Sequence, residues 1–147
     1  MRIRPAEIAD AATMSEIAMR AYAPYIPLVG GRPHPMDDDY AEKVRSQRCF
    51  VAEDGEPVGL LVLVPSDDHL LLENVAVHPA RHGQGIGRAL LDHAEAFTRE
   101  LGLPAVRLYT NAAMTQNLEM YERRGYRVDR HETVDGFNRV FLSKELV

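Results

Sequence analysis

Residues 70–91 read LLLENVAVHPARHGQGIGRALL, and the fold turns on how this stretch is parsed. An apolar, strand-like run passes through Pro79 into three closely spaced glycines, Gly83, Gly85 and Gly87, and then into an amphipathic helical pattern. Glycine adopts positive φ and lets a backbone approach a ligand closely. A helix that starts at such a turn points unpaired N–H groups and the positive end of its dipole toward it. Strand, glycine turn and helix N-terminus together make a cradle for a phosphate group. The alternative, a bare connection without a ligand, gains no packing from residues that are costly to order.

Two common phosphate motifs are excluded by the residues themselves. A nucleoside-triphosphate loop needs Lys followed by Ser or Thr after its last glycine, and here Arg88-Ala89 follow Gly87. The dinucleotide fingerprint G-x-G-x-x-G requires glycine at Leu90 if it starts at Gly85, or at Arg88 if it starts at Gly83. Arg88, in the first turn of the helix, is either a cation for the phosphate or an exposed helix arginine.

Upstream, Arg2 to Arg4 alternate polar and apolar residues and predict a short first strand. Asp10 is expected to cap a helix with Met14, Ile17, Ala18 and Ala21 at helical spacing. Residues 21–36, AYAPYIPLVGGRPHPM, hold four prolines and paired glycines and predict an irregular segment. Its anchors Tyr22, Tyr25, Ile26 and Leu28 favour an ordered loop lining a pocket over a mobile one. Asp37, Asp38 and Asp39 either cap the short helical pattern through Tyr40 and Val44 or draw in a cationic amine. Cys49 to Glu53 and Val58 to Val64 are strand-like and join through Asp54-Gly55, a hairpin dipeptide.

Downstream, the helix that begins near Gly85 closes at Gly102 and Pro104. Val106 to Thr110 is a strand, and Gln116 to Arg124 is a short helix ended by Gly125. Tyr126 to Val134 and Phe137 to Leu142 form a hairpin about Asp135-Gly136. The order β-α-α-β-β-β-α-β-α-β-β predicts one α/β (α+β) domain over residues 1–147, a mixed sheet with helices on both faces.

Seventeen Lys and Arg against 22 Asp and Glu leave a formal net charge of -5, which argues against a nucleic-acid partner. An acidic surface favours cationic partners. Cys49 is the single cysteine and opens the apolar run CFVA, so a buried structural thiol in a reducing compartment is expected. The first residues, MRIRPAEIAD, lack the apolar core of a signal peptide, and no apolar run approaches a membrane span; a cytoplasmic protein is expected, with no membrane partner. His78 and His82 stand four apart, but Pro79 and the glycines deny them a shared helix and no third ligand is apparent. No metal is expected.

In order and separation these pieces resemble the GNAT superfamily of N-acetyltransferases. Its diphosphate signature is Gln/Arg-x-x-Gly-x-Gly/Ala after a strand ending in a Val-x-Pro-like turn. Here Val75-Ala76-Val77-His78-Pro79 precedes the signature, with His82 where Gln or Arg is usual. Tyr121-Glu122-Arg123-Arg124-Gly125-Tyr126 is similar to the family's Tyr-Glu-x-x-Gly-Phe/Tyr segment. The resemblance covers nearly the whole chain. It implies a mostly antiparallel sheet of about seven strands, acetyl-CoA as co-substrate, and acetyl transfer to a primary amine of a small molecule or peptide.

The resemblance also implies roles. Val75, Ala76 and Val77 would carry a bulge that meets the pantetheine. His82, Gly83, Gln84, Gly85, Ile86, Gly87 and Arg88 would hold the diphosphate, and Tyr121 would protonate the departing thiolate. Asn117, one helical turn before Tyr121, is a candidate for a pantetheine amide, with Asn111 as a competitor. Glu73 is the candidate base, as in members with a glutamate on this strand; a shift of one residue in register would turn it to solvent. Tyr22 and Tyr25 belong to the expected acceptor pocket, and a monomer or homodimer is expected. The second reading is a non-catalytic acyl-CoA-binding sensor or interaction domain, which the departure at His82 leaves open.

Overall fold

The computed structural model describes residues 1–146. Seven strands form one sheet: β1 (Arg2–Pro5), β2 (Arg48–Asp54), β3 (Glu56–Pro65), β4 (Leu70–Val77), β5 (Ala105–Asn111), β6 (Arg127–Val134) and β7 (Phe137–Glu145). Their spatial order is β1-β2-β3-β4-β5-β7-β6. Every neighbouring pair is antiparallel except β4 with β5. Both aspartate-glycine dipeptides turn hairpins. Gly55 has φ 77°, while Asp135 and Gly136 have φ 52° and 81°, the doubly left-handed turn that matches strand twist.

The helices are α1 (Ala11–Tyr22), α2 (Ile26–Val29), α3 (Tyr40–Ser46), α4 (Ile86–Glu100) and α5 (Thr115–Arg123). Strand β3 explains why they lie on both faces. Its residues Leu60 and Val62 pack with Met14, Ile17 and Ala18 of α1, whereas Leu61 and Leu63 pack with Leu90 and Ala94 of α4. A strand apolar at every position needs cover on each side. None of these helices is long and apolar enough to cross a membrane.

Three local expectations are corrected. Asp10 does not cap α1: its carboxylate accepts from both Arg4 Nη atoms at 2.9 and 3.0 Å and from the Glu7 N–H at 2.8 Å, tying β1 to the chain that follows. Residues 23–36 are less irregular than their prolines suggest. They fold as a 3-10 turn at Ala23–Tyr25, the one-turn α2, and a second 3-10 turn at His34–Met36. Pro24, Pro27 and Pro35 each occupy a first-turn position, where no N–H is needed.

The third correction concerns the bulge. Val62 of β3 faces Asn74 and Leu63 faces Leu72, so Glu73 is the extra residue of β4, while Val75, Ala76 and Val77 keep regular register with Leu61, Leu60 and Gly59. A bulge aims two successive side chains at one face. Glu73 and Asn74 accordingly both reach the α1 and α3 side, to Lys43 and to Tyr22 and Tyr40.

A splayed strand and a glycine turn form the candidate active site

Strands β4 and β5 pair only at Leu70 with Val106 and Leu71 with Arg107. Beyond that point they part, and among the described residues no strand pairs with the freed edge of β4. A cleft of about 1050 Å³ opens there. It is lined by β4 from Leu72, by the glycine turn, by Tyr121 of α5 and by the proline-rich segment. An open strand edge offers backbone donors and acceptors to an extended ligand.

At one end of the cleft stands the glycine turn. Gly83 and Gly85 both have φ 81°, and a Cβ built on either would meet nothing within 4 Å. The requirement for glycine is therefore conformational, and the space above the turn is open. Helix α4 starts at Ile86, so the N–H groups of Ile86, Gly87 and Arg88 have no helical carbonyl to bond. Arg88 is exposed on the cleft and, among the described residues, pairs with no carboxylate. His82 folds back, its Nε2 3.1 Å from the Val77 carbonyl oxygen at the end of β4. Gln84 is exposed and lies outside the cleft lining, its Oε1 accepting from Arg81 at 3.5 Å.

In the middle of the cleft, Tyr121 is 6% exposed and packs edge-on against Tyr126. Among the described residues its hydroxyl bonds no protein group. Burial pushes the phenol up to about 12, so it keeps its proton through the neutral range. The amide of Asn117 makes only a 3.7 Å contact with the Met114 sulfur, whereas Asn111 accepts from the Ala113 N–H at 2.9 Å and shapes the turn into α5. The far end of α5 is pinned: Arg124 donates to Glu95 at 2.6 Å, and Lys144 of β7 donates to the same carboxylate at 2.8 Å.

The other end of the cleft is built by β4, β5, β7 and the proline-rich segment. The Tyr22 hydroxyl donates to Asn74 Oδ1 at 2.6 Å, Asn74 Nδ2 donates to the Tyr40 oxygen at 3.0 Å, and the Tyr40 hydroxyl donates to the Pro35 carbonyl at 2.6 Å. Tyr22 thus offers the cleft its ring, since its hydroxyl is committed, and Tyr25 lines the wall beside it. Glu73 faces the cleft but pairs with Lys43. The three aspartates are all engaged. Asp37 holds Arg32 at 2.7 Å, Asp38 approaches His34 Nδ1 at 3.6 Å, and Asp39 caps α3 through the Glu42 N–H at 3.1 Å.

Sequence reasoning missed three residues here. His34 Nε2 lies 2.7 Å from the Tyr109 hydroxyl, and the Arg139 guanidinium lies 4.4 Å over the Tyr109 ring. Strand alternation alone sets Tyr109 on the face opposite Leu108, but nothing local marks His34 or Arg139. Cys49 is buried as expected, and burial pushes its thiol up to about 11.

Residues 12–126 match the family model described as Acetyltransferase (GNAT) family. Over 76 residues the chain is 38% identical to mycothiol acetyltransferase of Propionibacterium freudenreichii subsp. shermanii, covering 52% of this chain and 21% of that one. Over 83 residues it is 34% identical to streptothricin acetyltransferase of Streptomyces lavendulae, covering 54% and 44%. The chain therefore spans less than half the length of either relative. The PaiA N-acetyltransferase of Thermoplasma acidophilum, solved in complex with coenzyme A, superposes with a TM-score of 0.83 over 99% of this chain and 98% of its own, at 18% identity. At that identity the likeness is one of fold, and it matches the seven-stranded, mostly antiparallel sheet. By the span and position of the family match, this chain belongs to the GNAT acetyltransferase family.

Proposed function

We propose that the protein transfers the acetyl group of acetyl-CoA to a primary amine of a small molecule or peptide. One observation carries the reading: the open edge of β4, the glycine turn and the free Tyr121 hydroxyl meet in a single cleft. The acetyltransferase relatives and the coenzyme A complex of the fold neighbour support it.

Coenzyme A fits the residues present. The N–H groups of Ile86, Gly87 and Arg88, with the Arg88 guanidinium, suit a diphosphate. The edge from Val75 to Val77 suits the pantetheine amides as an added strand, with the Asn117 carboxamide beside it. When bound, the coenzyme supplies an acetyl group activated as a thioester. The protein's own groups then have three tasks. Backbone N–H groups of the freed edge orient and polarise the carbonyl. A carboxylate at Glu73 receives the proton that an amine, with an ordinary pKa of about 10.4, must shed before attack. Tyr121 protonates the sulfur as the C–S bond breaks and the C–N bond forms, and the second proton shed by the nitrogen restores the phenol, leaving an amide and a thiol.

The test is thiol release from acetyl-CoA with a panel of primary amines. Tyr121→Phe should lower kcat on the order of 100-fold while coenzyme A binding, read by calorimetry, changes little. Binding of coenzyme A without turnover on any amine would support the sensor reading, and no binding at all would overturn both.

A further inference from the structure

We propose that the acceptor is a small amine that also carries a carboxylate, and that Arg139 recognises that carboxylate. This rests on the acetyl-transfer reading above. Arg139 is the third residue of β7, close to the Asp135-Gly136 hairpin, and lines the acceptor end of the cleft. It is half-buried, and its guanidinium rests on the Tyr109 ring at 4.4 Å.

The neighbouring charges are already satisfied. Arg32 is held by Asp37, Lys43 by Glu73, and Asp38 lies against His34. The residue facing Arg139 across the hairpin is Glu132, whose carboxylate is taken by Arg130 at 3.1 Å. Among the described residues no carboxylate lies within ion-pair distance of Arg139. Among the described residues, the one acid lining the cleft without such a partner is Asp135, exposed at the hairpin tip.

A guanidinium drawn out of water loses hydration that an aromatic face restores only in part. Its planar fork matches a carboxylate through two parallel hydrogen bonds. A carboxylate seated there completes the pair that the protein leaves unmade, with the amine of the same molecule directed toward Glu73 and Tyr121. The overall charge of -5 favours cationic partners, but at this end of the cleft Glu73 is paired with Lys43, the exposed Asp135 lies outside ion-pair distance, and among the described residues the half-buried Arg139 has no carboxylate of its own.

The experiment compares acceptors of matched chain length: an n-alkylamine, a diamine, an ω-amino acid and a phosphate-bearing amine. Each is assayed by thiol release with the wild-type protein, Arg139→Gln and Arg139→Lys. The expected result is a kcat/KM for the amino acid at least about tenfold above that of the alkylamine, lost in Arg139→Gln and partly kept in Arg139→Lys. Turnover is not the only readout. An N-acetylated amino acid titrated into the coenzyme A complex should bind the wild type more tightly than Arg139→Gln.

Equal use of the four acceptors, preference for the diamine or the phosphate-bearing amine, or a preference that survives Arg139→Gln would overturn the proposal. So would equal product binding by wild type and variant. Failure of the wild type to bind coenzyme A would instead sink the acetyl-transfer reading itself. Melting temperatures of both variants separate a lost contact from a lost fold.

Discussion

Tyr22 and Tyr121 line the same cleft and are both raised by burial, yet their hydroxyls are placed for opposite purposes. The Tyr22 hydroxyl donates its hydrogen bond to Asn74 inside the protein, whereas among the described residues the Tyr121 hydroxyl has no partner. Tyr22→Phe should therefore cost about 1–2 kcal/mol in denaturant unfolding, because it leaves the Asn74 oxygen without its donor. Tyr121→Phe should leave stability within about 0.5 kcal/mol and take its effect in kcat instead. A Tyr121→Phe variant that lost stability but not rate would make that residue a core aromatic and no more. The glycine turn allows a second test. Alanine at Gly85 meets no steric obstacle but must hold φ 81°, a strain of about 1–2 kcal/mol. Coenzyme A binding to Gly85→Ala should weaken about tenfold if the turn relaxes to escape that strain, as calorimetry would detect.

Elements made by local chemistry were legible in the sequence, and those made by distant pairing were not. The two Asp-Gly hairpins, the glycine turn and the helical stripe of α4 each follow from a few adjacent residues, and all three stand where they were expected. The position of the bulge escaped a local reading, because LLLENVAV is apolar around the single polar pair Glu73-Asn74 and only the partner register shows Glu73 to be the displaced residue. That displacement decides which face Asn74 occupies, and through Asn74 it fixes the proline-rich segment over the cleft. The grouping of His34, Tyr109 and Arg139 is likewise a product of tertiary pairing, each coming from a different part of the chain. Asn74 is 3% exposed and links Tyr22 to Tyr40. Asn74→Ala should cost about 2 kcal/mol and speed hydrogen exchange across residues 21–40 more than in β2 or β3. Uniform acceleration along the chain would show that this link is not what secures the segment.

Across the whole molecule, titratable groups clamp the two ends of the sheet and set its response to acid. At one end the Arg4 guanidinium holds the Asp10 carboxyl below its ordinary 3.8. At the other, burial raises Glu95, but Lys144 and Arg124 outweigh it and hold the carboxyl below its ordinary 4.5. A carboxyl depressed by folding contributes stability that is present above its unfolded value and lost as pH falls through the folded one. Both clamps therefore weaken below about pH 4. His93 acts in a higher window. Its ring packs on Phe50 at 4.5 Å, its Nε2 is buried without a partner among the described residues, and burial holds it below the ordinary 6.5 despite Glu100. As pH falls below 6.5 the unfolded chain takes up a proton that the folded ring resists, so the unfolded state gains and stability drops until the folded value is passed. The melting temperature should therefore fall in two stages, one beginning near pH 6.5 and one near pH 4. His93→Leu, which replaces the ring with an apolar side chain against Phe50, should reduce the first stage and leave the second in place. If the difference between wild type and His93→Leu did not change between pH 7.5 and 5.5, the buried imidazole would have no part in the acid response.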